Sequence, residues 1–193
     1  MPPELANQIA AGEVVERPAS AVKELLENAL DAGARRCEVE IEAGGVGLMV
    51  VSDDGSGMSE SDARLCVQRH ATSKIASFAE LGHMRTFGFR GEALPSIASV
   101  SRFELTTRSR DDDAGIELAI EGGAEPVIRP TGAPVGTRVT IRDLFYNVPA
   151  RRKFLRSTGT ESGHVTDVVE AAALARPDVT FKLTRDGRPV REW

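Results

Sequence analysis

Apolar residues recur at Val22, Leu25, Leu26 and Ala29, the i, i+3, i+4, i+7 spacing that makes one stripe on an α-helix, while Glu24, Glu27, Asn28 and Asp31 fall on the opposite side. Pro18 suits the first turn of such a helix, because the N–H it lacks would be unpaired there, and Gly33 suits its stop. The pattern predicts a helix over about 18–32 with one face for a core and one for other work. From Cys37 the period changes to two: Cys37, Val39 and Ile41 alternate with Glu38, Glu40 and Glu42, followed by the glycine-rich turn 44–47 and a second run over 48–52. This reads as a β-hairpin with one wet face.

Ser59 with Asp62 resembles a capping box opening a helix through Leu65 and Val67, and a further helix fits 93–100, with Pro95 early enough to be tolerated. Between them, residues 71–90 are polar and glycine-punctuated, which predicts a mobile loop. Three alternating strands are expected at 103–107, 116–120 and 137–141, then a helix from about 161 to 174. Strands at 179–183 and 189–191 follow, joined by an Asp186-Gly187 hairpin turn. Sequential hairpins argue for an antiparallel sheet, and helices segregated from it for an α+β fold in which helices cover one face.

Composition sharpens the picture in places. With 193 residues and 41% hydrophobic composition the chain can bury a core, and length favours one domain. No apolar stretch approaches the ~20 residues of a membrane helix, and the N-terminus lacks a signal pattern, so the chain reads as cytoplasmic. Cys37 and Cys66 lack CxxC spacing and read as ordinary buried thiols, while His70, His83 and His164 are scattered; neither a disulfide nor a zinc framework is indicated. A net charge of −5 argues against a surface that is a nucleic-acid footprint throughout. Arg151, Arg152, Lys153 and Arg156 are a local exception, which charge pattern alone leaves between a solvated basic turn and a functional one.

Three strings carry candidate chemistry. Glu24 and Asn28 project from one helix face, where a glutamate can deprotonate attacking water and a neutral amide oxygen can ligate Mg²⁺. Taken alone, such a pair is usually a solvated face. Ser52-Asp53-Asp54-Gly55-Ser56-Gly57 places Asp53 at the sheet edge, where a buried carboxylate can accept from an adenine amino group, against the plainer reading of an Asp-Gly turn. A calcium loop is excluded because Gly55 occupies the third position, where Asp or Asn is needed. Gly88, Phe89, Arg90, Gly91, Glu92, Ala93 and Leu94 put two glycines ahead of a helix, a geometry suited to phosphate. Neither GxxxxGK[ST] nor a GxGxxG after a strand is present.

E-x-x-x-N on the first helix, D-x-G-x-G after a strand and a glycine-containing lid resemble the motifs of the GHKL ATPase superfamily. More narrowly, residues 5–34, RHATSKI at 69–75, GFRGEALPSIASV at 88–100 and DLFYNVPARRKFL at 143–155 resemble the MutL DNA mismatch-repair family. The resemblance implies a Bergerat fold, a two-layer sandwich of helices over a mixed, mostly antiparallel sheet with a movable lid. It further implies ATP as ligand with Mg²⁺. Carried onto this chain, it makes Glu24 the general base, Asn28 the Mg²⁺ ligand and Asp53 the adenine-binding carboxylate, with Gly55 and Gly57 shaping the pocket. Thr72 and Lys74 would lie near the nucleotide, residues 88–94 would wrap the phosphates, and Thr137 would sit beneath the adenine. It also implies that residues 1–193 form one ATPase domain, excised from a protein with a transducer-like second domain and a C-terminal dimerisation domain. The expected partners are a MutS-like mismatch-recognition protein, downstream nicking or helicase factors, and a second copy in a nucleotide-dependent homodimer, with DNA held mainly through those other domains. The competing readings are a nucleotide-dependent switch with negligible hydrolysis and a gyrase-like ATPase.

Overall fold

The computed structural model describes residues 15–68 and 92–193. Helix α1, Pro18–Asp31, opens with Pro18 in its first turn and buries Val22, Leu25, Leu26 and Ala29, the predicted stripe. Strands β1, Arg36–Glu42, and β2, Leu48–Asp53, form the expected antiparallel hairpin around a 3-10 turn at Ala43–Gly45. Helix α2, Glu60–Cys66, is capped by the Ser59 hydroxyl, which accepts from the Asp62 N–H. Helix α3, Ala93–Ser99, leads into β3, Arg102–Arg108, and β4, Gly115–Glu121. Strand β6, Gly136–Arg142, comes after β5, Val127–Thr131, an element the sequence pattern did not suggest. Pro130 breaks the strand signal there, yet β5 pairs only with β4 at the margin of the sheet, where a residue without an N–H is tolerated.

A short helix α4, Pro149–Arg152, precedes α5, Thr158–Ala175. The latter begins three residues before the expected start because Ser157 caps it, accepting from the Thr160 N–H at 3.3 Å. The chain closes with β7, Thr180–Arg185, and β8, Arg188–Glu192, joined through Asp186 and Gly187, both at positive φ.

The eight strands form one sheet in the order β5-β4-β3-β6-β2-β1-β7-β8. Every pairing is antiparallel except β1 with β7, which α5 makes possible by carrying the chain back across the sheet. The register stacks Phe103, Leu105 and Thr107 beside Ile141, Val139 and Thr137, then Met49, Val51 and Asp53, then Ile41, Val39 and Cys37. Helices α1, α3 and α5 pack over this one face. The opposite face carries charge, with Arg102 bridging Glu121 and Asp143. Cys37 is buried in the apolar layer and Cys66 is half-buried rather than fully buried; burial pushes both thiols up to about 12.

Candidate nucleotide site

Strand β2 lies inside the sheet, between β1 and β6, so Asp53 stands at a strand end and not at the sheet edge that the sequence suggested. Its direct neighbours across the ladders are Cys37 and Thr137. Because all three point to the helix-covered face, the carboxylate is half-buried at one end of the core. Burial pushes its pKa up to about 6; the Gly55 and Thr137 backbone N–H groups pull it back, and the charge of Asp54 adds to the rise. Asp53 Oδ1 accepts from Gly55 N–H at 2.9 Å.

The next residue does something else. Asp54 turns to β1 and accepts from the Arg35 and Arg36 N–H groups at 2.7 and 2.8 Å, holding the hairpin's open end shut.

Glycines let the backbones converge here. A Cβ on Gly57, at φ +67, would collide with the Arg108 carbonyl, and one on Gly136, at φ +122, with the Asp53 carbonyl. Gly55 sits against Ala32, where a Cβ would lie 2.9 Å from that residue's Cβ and carbonyl oxygen. The Ser56 N–H donates to the Ala32 carbonyl at 2.9 Å, so the turn after β2 is fastened to the C-terminal end of α1.

That fastening orients the helix. Its other end places Pro18 against Gly45, in the turn between β1 and β2 at the far end of the hairpin. Asn28 therefore lies one turn from the Asp53 end, and Glu24 about 6 Å further along the axis, since four residues rise 1.5 Å each. Both are half-buried on the side of α1 away from its apolar stripe. The carboxylate, the amide and the glutamate thus follow one another along a single direction.

Glu92 precedes α3, while Ala93 and Leu94 form its first turn; all three are half-buried, and Leu94 packs against the core. Thr72, Lys74, Gly88, Phe89, Arg90 and Gly91 lie outside the described residues, as does the predicted loop over 71–90.

One residue of the site escaped the sequence reading. Thr107, 1% exposed, accepts from Met58 N–H at 3.0 Å, donates to the Gly136 carbonyl at 2.9 Å and lies 3.1 Å from the Thr137 hydroxyl. The available signal was a lone hydroxyl on the inward face of a strand otherwise reading Phe103, Leu105. The basic cluster behaves differently: Arg152, Lys153, Phe154 and Arg156 are exposed, on the segment that leaves β6 beside the start of β2, at the other end of the sheet from Asp53.

The comparisons with known proteins agree with this architecture. Residues 16–139 match the family described as histidine kinase-, DNA gyrase B-, and HSP90-like ATPase. The chain belongs to that family, and it is an ATPase domain with the GHKL fold. Within the family its relatives are MutL proteins. It is 58% identical to the DNA mismatch repair protein MutL of Anaeromyxobacter sp. (strain K) over 98% of this chain and 31% of that protein, and 55% identical to MutL of Xanthomonas oryzae pv. oryzae over 100% and 31%. It therefore spans about a third of the length of these curated relatives. The MutL ATPase domain of Aquifex aeolicus, solved with ADP, superposes with a TM-score of 0.78 at 38% identity, covering 93% of this chain and 64% of that one. Among the described residues no helix is long and apolar enough to cross a membrane.

Proposed function

We propose that this domain binds ATP with its base at Asp53 and its phosphates along α1, and hydrolyses it in the service of DNA mismatch repair. The observation that carries the reading is the fastening of α1 to the Asp53 turn. It sets the Asp53 carboxylate, the Asn28 amide and Glu24 in sequence along one direction, which supports an order of base, phosphates and attacking water. Asp53, ionised, accepts from the exocyclic amino group of adenine, and Thr137 closes the same end of the pocket. Gly55 and Gly57 shape this end of the pocket by letting the turn after β2 pack against Ala32 and the Arg108 carbonyl. Glu24 takes a proton from the attacking water, a role that contributes in the transition state more than in binding.

Mg²⁺ fits a single neutral amide on a helix face, because this ion takes most of its ligands from phosphate oxygens and water. Among the described residues no cluster of three or more His, Cys, Asp or Glu offers an all-protein cage. Asn28 would hold the ion through its side-chain oxygen, and the ion would supply charge to offset the phosphates. Thr72, Lys74 and the segment 88–94 are assigned to the phosphate end on family resemblance. By the same reasoning residues 1–193 form one ATPase domain of a longer cytoplasmic protein. That protein would dimerise with nucleotide, hold DNA mainly through its other domains, and meet a MutS-like protein and downstream nicking or helicase factors.

Calorimetric titration with ATP tests the core of the reading. Wild-type protein binds, and Asp53→Ala binds at least several-fold more weakly, since losing a buried polar partner costs ~1–3 kcal/mol. Equal affinity for both would remove Asp53 from the site.

A further inference from the structure

The hydrogen bonds around Thr107 leave only one arrangement of protons. A hydroxyl has one proton to give and two lone pairs with which to accept. Met58 N–H can only donate, so it occupies one lone pair of Thr107 Oγ1 at 3.0 Å. The Gly136 carbonyl can only accept, so it takes the single proton at 2.9 Å. What remains for the 3.1 Å contact with Thr137 is the second lone pair, which makes Thr137 the donor. The Thr137 proton therefore points back into the sheet, towards a side chain that is 1% exposed, and its lone pairs are left for the pocket that Asp53 shares.

We propose that Thr107 is a positioning residue that turns Thr137 into an acceptor and thereby sets the preference of the site for adenine over guanine. The inference rests on the assignment of Asp53 and Thr137 to the base. Adenine offers a 6-amino group with two protons to a site of two acceptors, the ionised carboxylate and the Thr137 oxygen. Guanine offers a 6-oxo group, which would face both acceptors with no proton between them. A pocket that leaves a buried polar group unpaired rejects the wrong ligand far more strongly than one lacking mere shape fit. Without Thr107 as its acceptor, the Thr137 hydroxyl is released to rotate and donate to that oxo group, so the discrimination weakens. The same bonds tie the turn at Met58 to β6 and satisfy a hydroxyl that stands on an otherwise apolar strand face.

The test is calorimetry with ATP and competition by GTP on wild type, Thr107→Val, Thr107→Ser and Asp53→Ala. Thr107→Val keeps the shape and removes the hydroxyl; it should weaken ATP by about 2- to 10-fold and narrow the ATP-to-GTP ratio by at least as much. Thr107→Ser, which keeps the hydroxyl, should restore the ratio. If Thr107→Val does not fold, Thr107→Cys, a poor hydrogen-bonder of similar size, must show the same narrowing. A purely structural role predicts that both nucleotides weaken together, and an unchanged ratio in the Val or Cys protein overturns the proposal. If Asp53→Ala loses ATP while that ratio stays fixed, only Thr107 is misassigned; if Asp53→Ala binds normally, the base site itself is elsewhere and both readings fall.

Discussion

Asp53 and Asp54 are adjacent in sequence and turn in opposite directions: Asp53 faces the helix-covered layer beside Thr137, and Asp54 faces the start of β1, where it accepts from two successive backbone N–H groups. One carboxylate is available to a ligand and the other is spent on the fold. Their substitutions should separate accordingly. Asp54→Ala should lower thermal stability by on the order of 1 kcal/mol, about 2–4 °C in Tm, and leave ATP affinity within about two-fold. Asp53→Ala should do the reverse. Scanning calorimetry and ATP titration on the pair check this, and an Asp54→Ala protein of normal Tm with lost ATP binding would reverse the assignment.

The raised pKa of Asp53 gives the site a pH dependence of unusual sign. The folded chain holds this proton up to about pH 6, whereas an unfolded aspartate releases it near 3.8. Between those values the folded state binds more protons, so the contribution of this group to stability declines as pH rises from about 4 to about 6 and is flat above. Keeping Asp53 ionised at pH 7 costs the empty domain on the order of 3 kcal/mol. Asp53→Asn should therefore raise the Tm of the nucleotide-free domain at pH 7.5 and not at pH 4. Because the ionised form is the stronger acceptor and the proposed role of Asp53 is to accept from adenine, ATP affinity of the wild type should fall as pH drops from 7 to 5, while that of Asp53→Asn should be weak and level. Calorimetry in matched buffers tests both; a wild-type affinity that is flat across this range would mean the carboxylate does not meet the base.

Close approach of backbones, more than side-chain packing, sets the geometry around Asp53. Gly57→Ala and Gly136→Ala each place a Cβ against a main-chain carbonyl at positive φ, with no flexible neighbour to yield, and should cost about 2–4 kcal/mol. Gly33 also sits at positive φ, +75, but nothing lies within 4 Å of its Cβ position. Gly33→Ala should cost only the local strain, about 1 kcal/mol. Chemical denaturation of the three proteins orders them, and equal losses would show that conformation alone, without contact, accounts for the glycines.

Much of this was legible in the chain. The periodicity of α1 and the alternation of β1 and β2 are local signals, and each placed its residues on the correct face. The shared helix face of Glu24 and Asn28 was visible because spacing on one element decides it, whereas the place of Asp53 at the end of an inner strand, next to the C-terminal end of α1, depended on contacts between elements. Three further things were not legible, each for a non-local reason. The parallel pairing of β1 with β7 joins residues over 140 positions apart and leaves no local trace. Strand β5 is disguised by Pro130, which only a marginal position accommodates. Thr107 read as one more strand residue because its importance lies in what Met58, Gly136 and Thr137 do around it.

Glu24 and Asn28 share a helix face, one turn apart, yet their losses should be felt in different measurements. Asn28 lies nearer the Asp53 end, where α1 is fastened by the Ser56-to-Ala32 hydrogen bond, and its assigned task is a ground-state one. Asn28→Ala should weaken binding of ATP in the presence of Mg²⁺, and the difference should shrink when the ion is chelated, because what is removed is a ligand to that ion. Glu24 lies a turn further on, and its assigned task matters only when water attacks. Glu24→Ala should bind ATP within about two- to three-fold of wild type and lower the turnover rate by about 10²–10⁴-fold, the usual contribution of a positioned base. Glu24→Gln keeps size and hydrogen bonding but cannot take a proton, so it should be as slow as the alanine protein; a structural role would instead be rescued by glutamine. Parallel titration and phosphate-release assays at saturating ATP decide the matter. Turnover retained in Glu24→Gln would assign the proton transfer to another group, and an Asn28→Ala protein whose ATP affinity responds to Mg²⁺ as strongly as that of the wild type would take the ion away from α1.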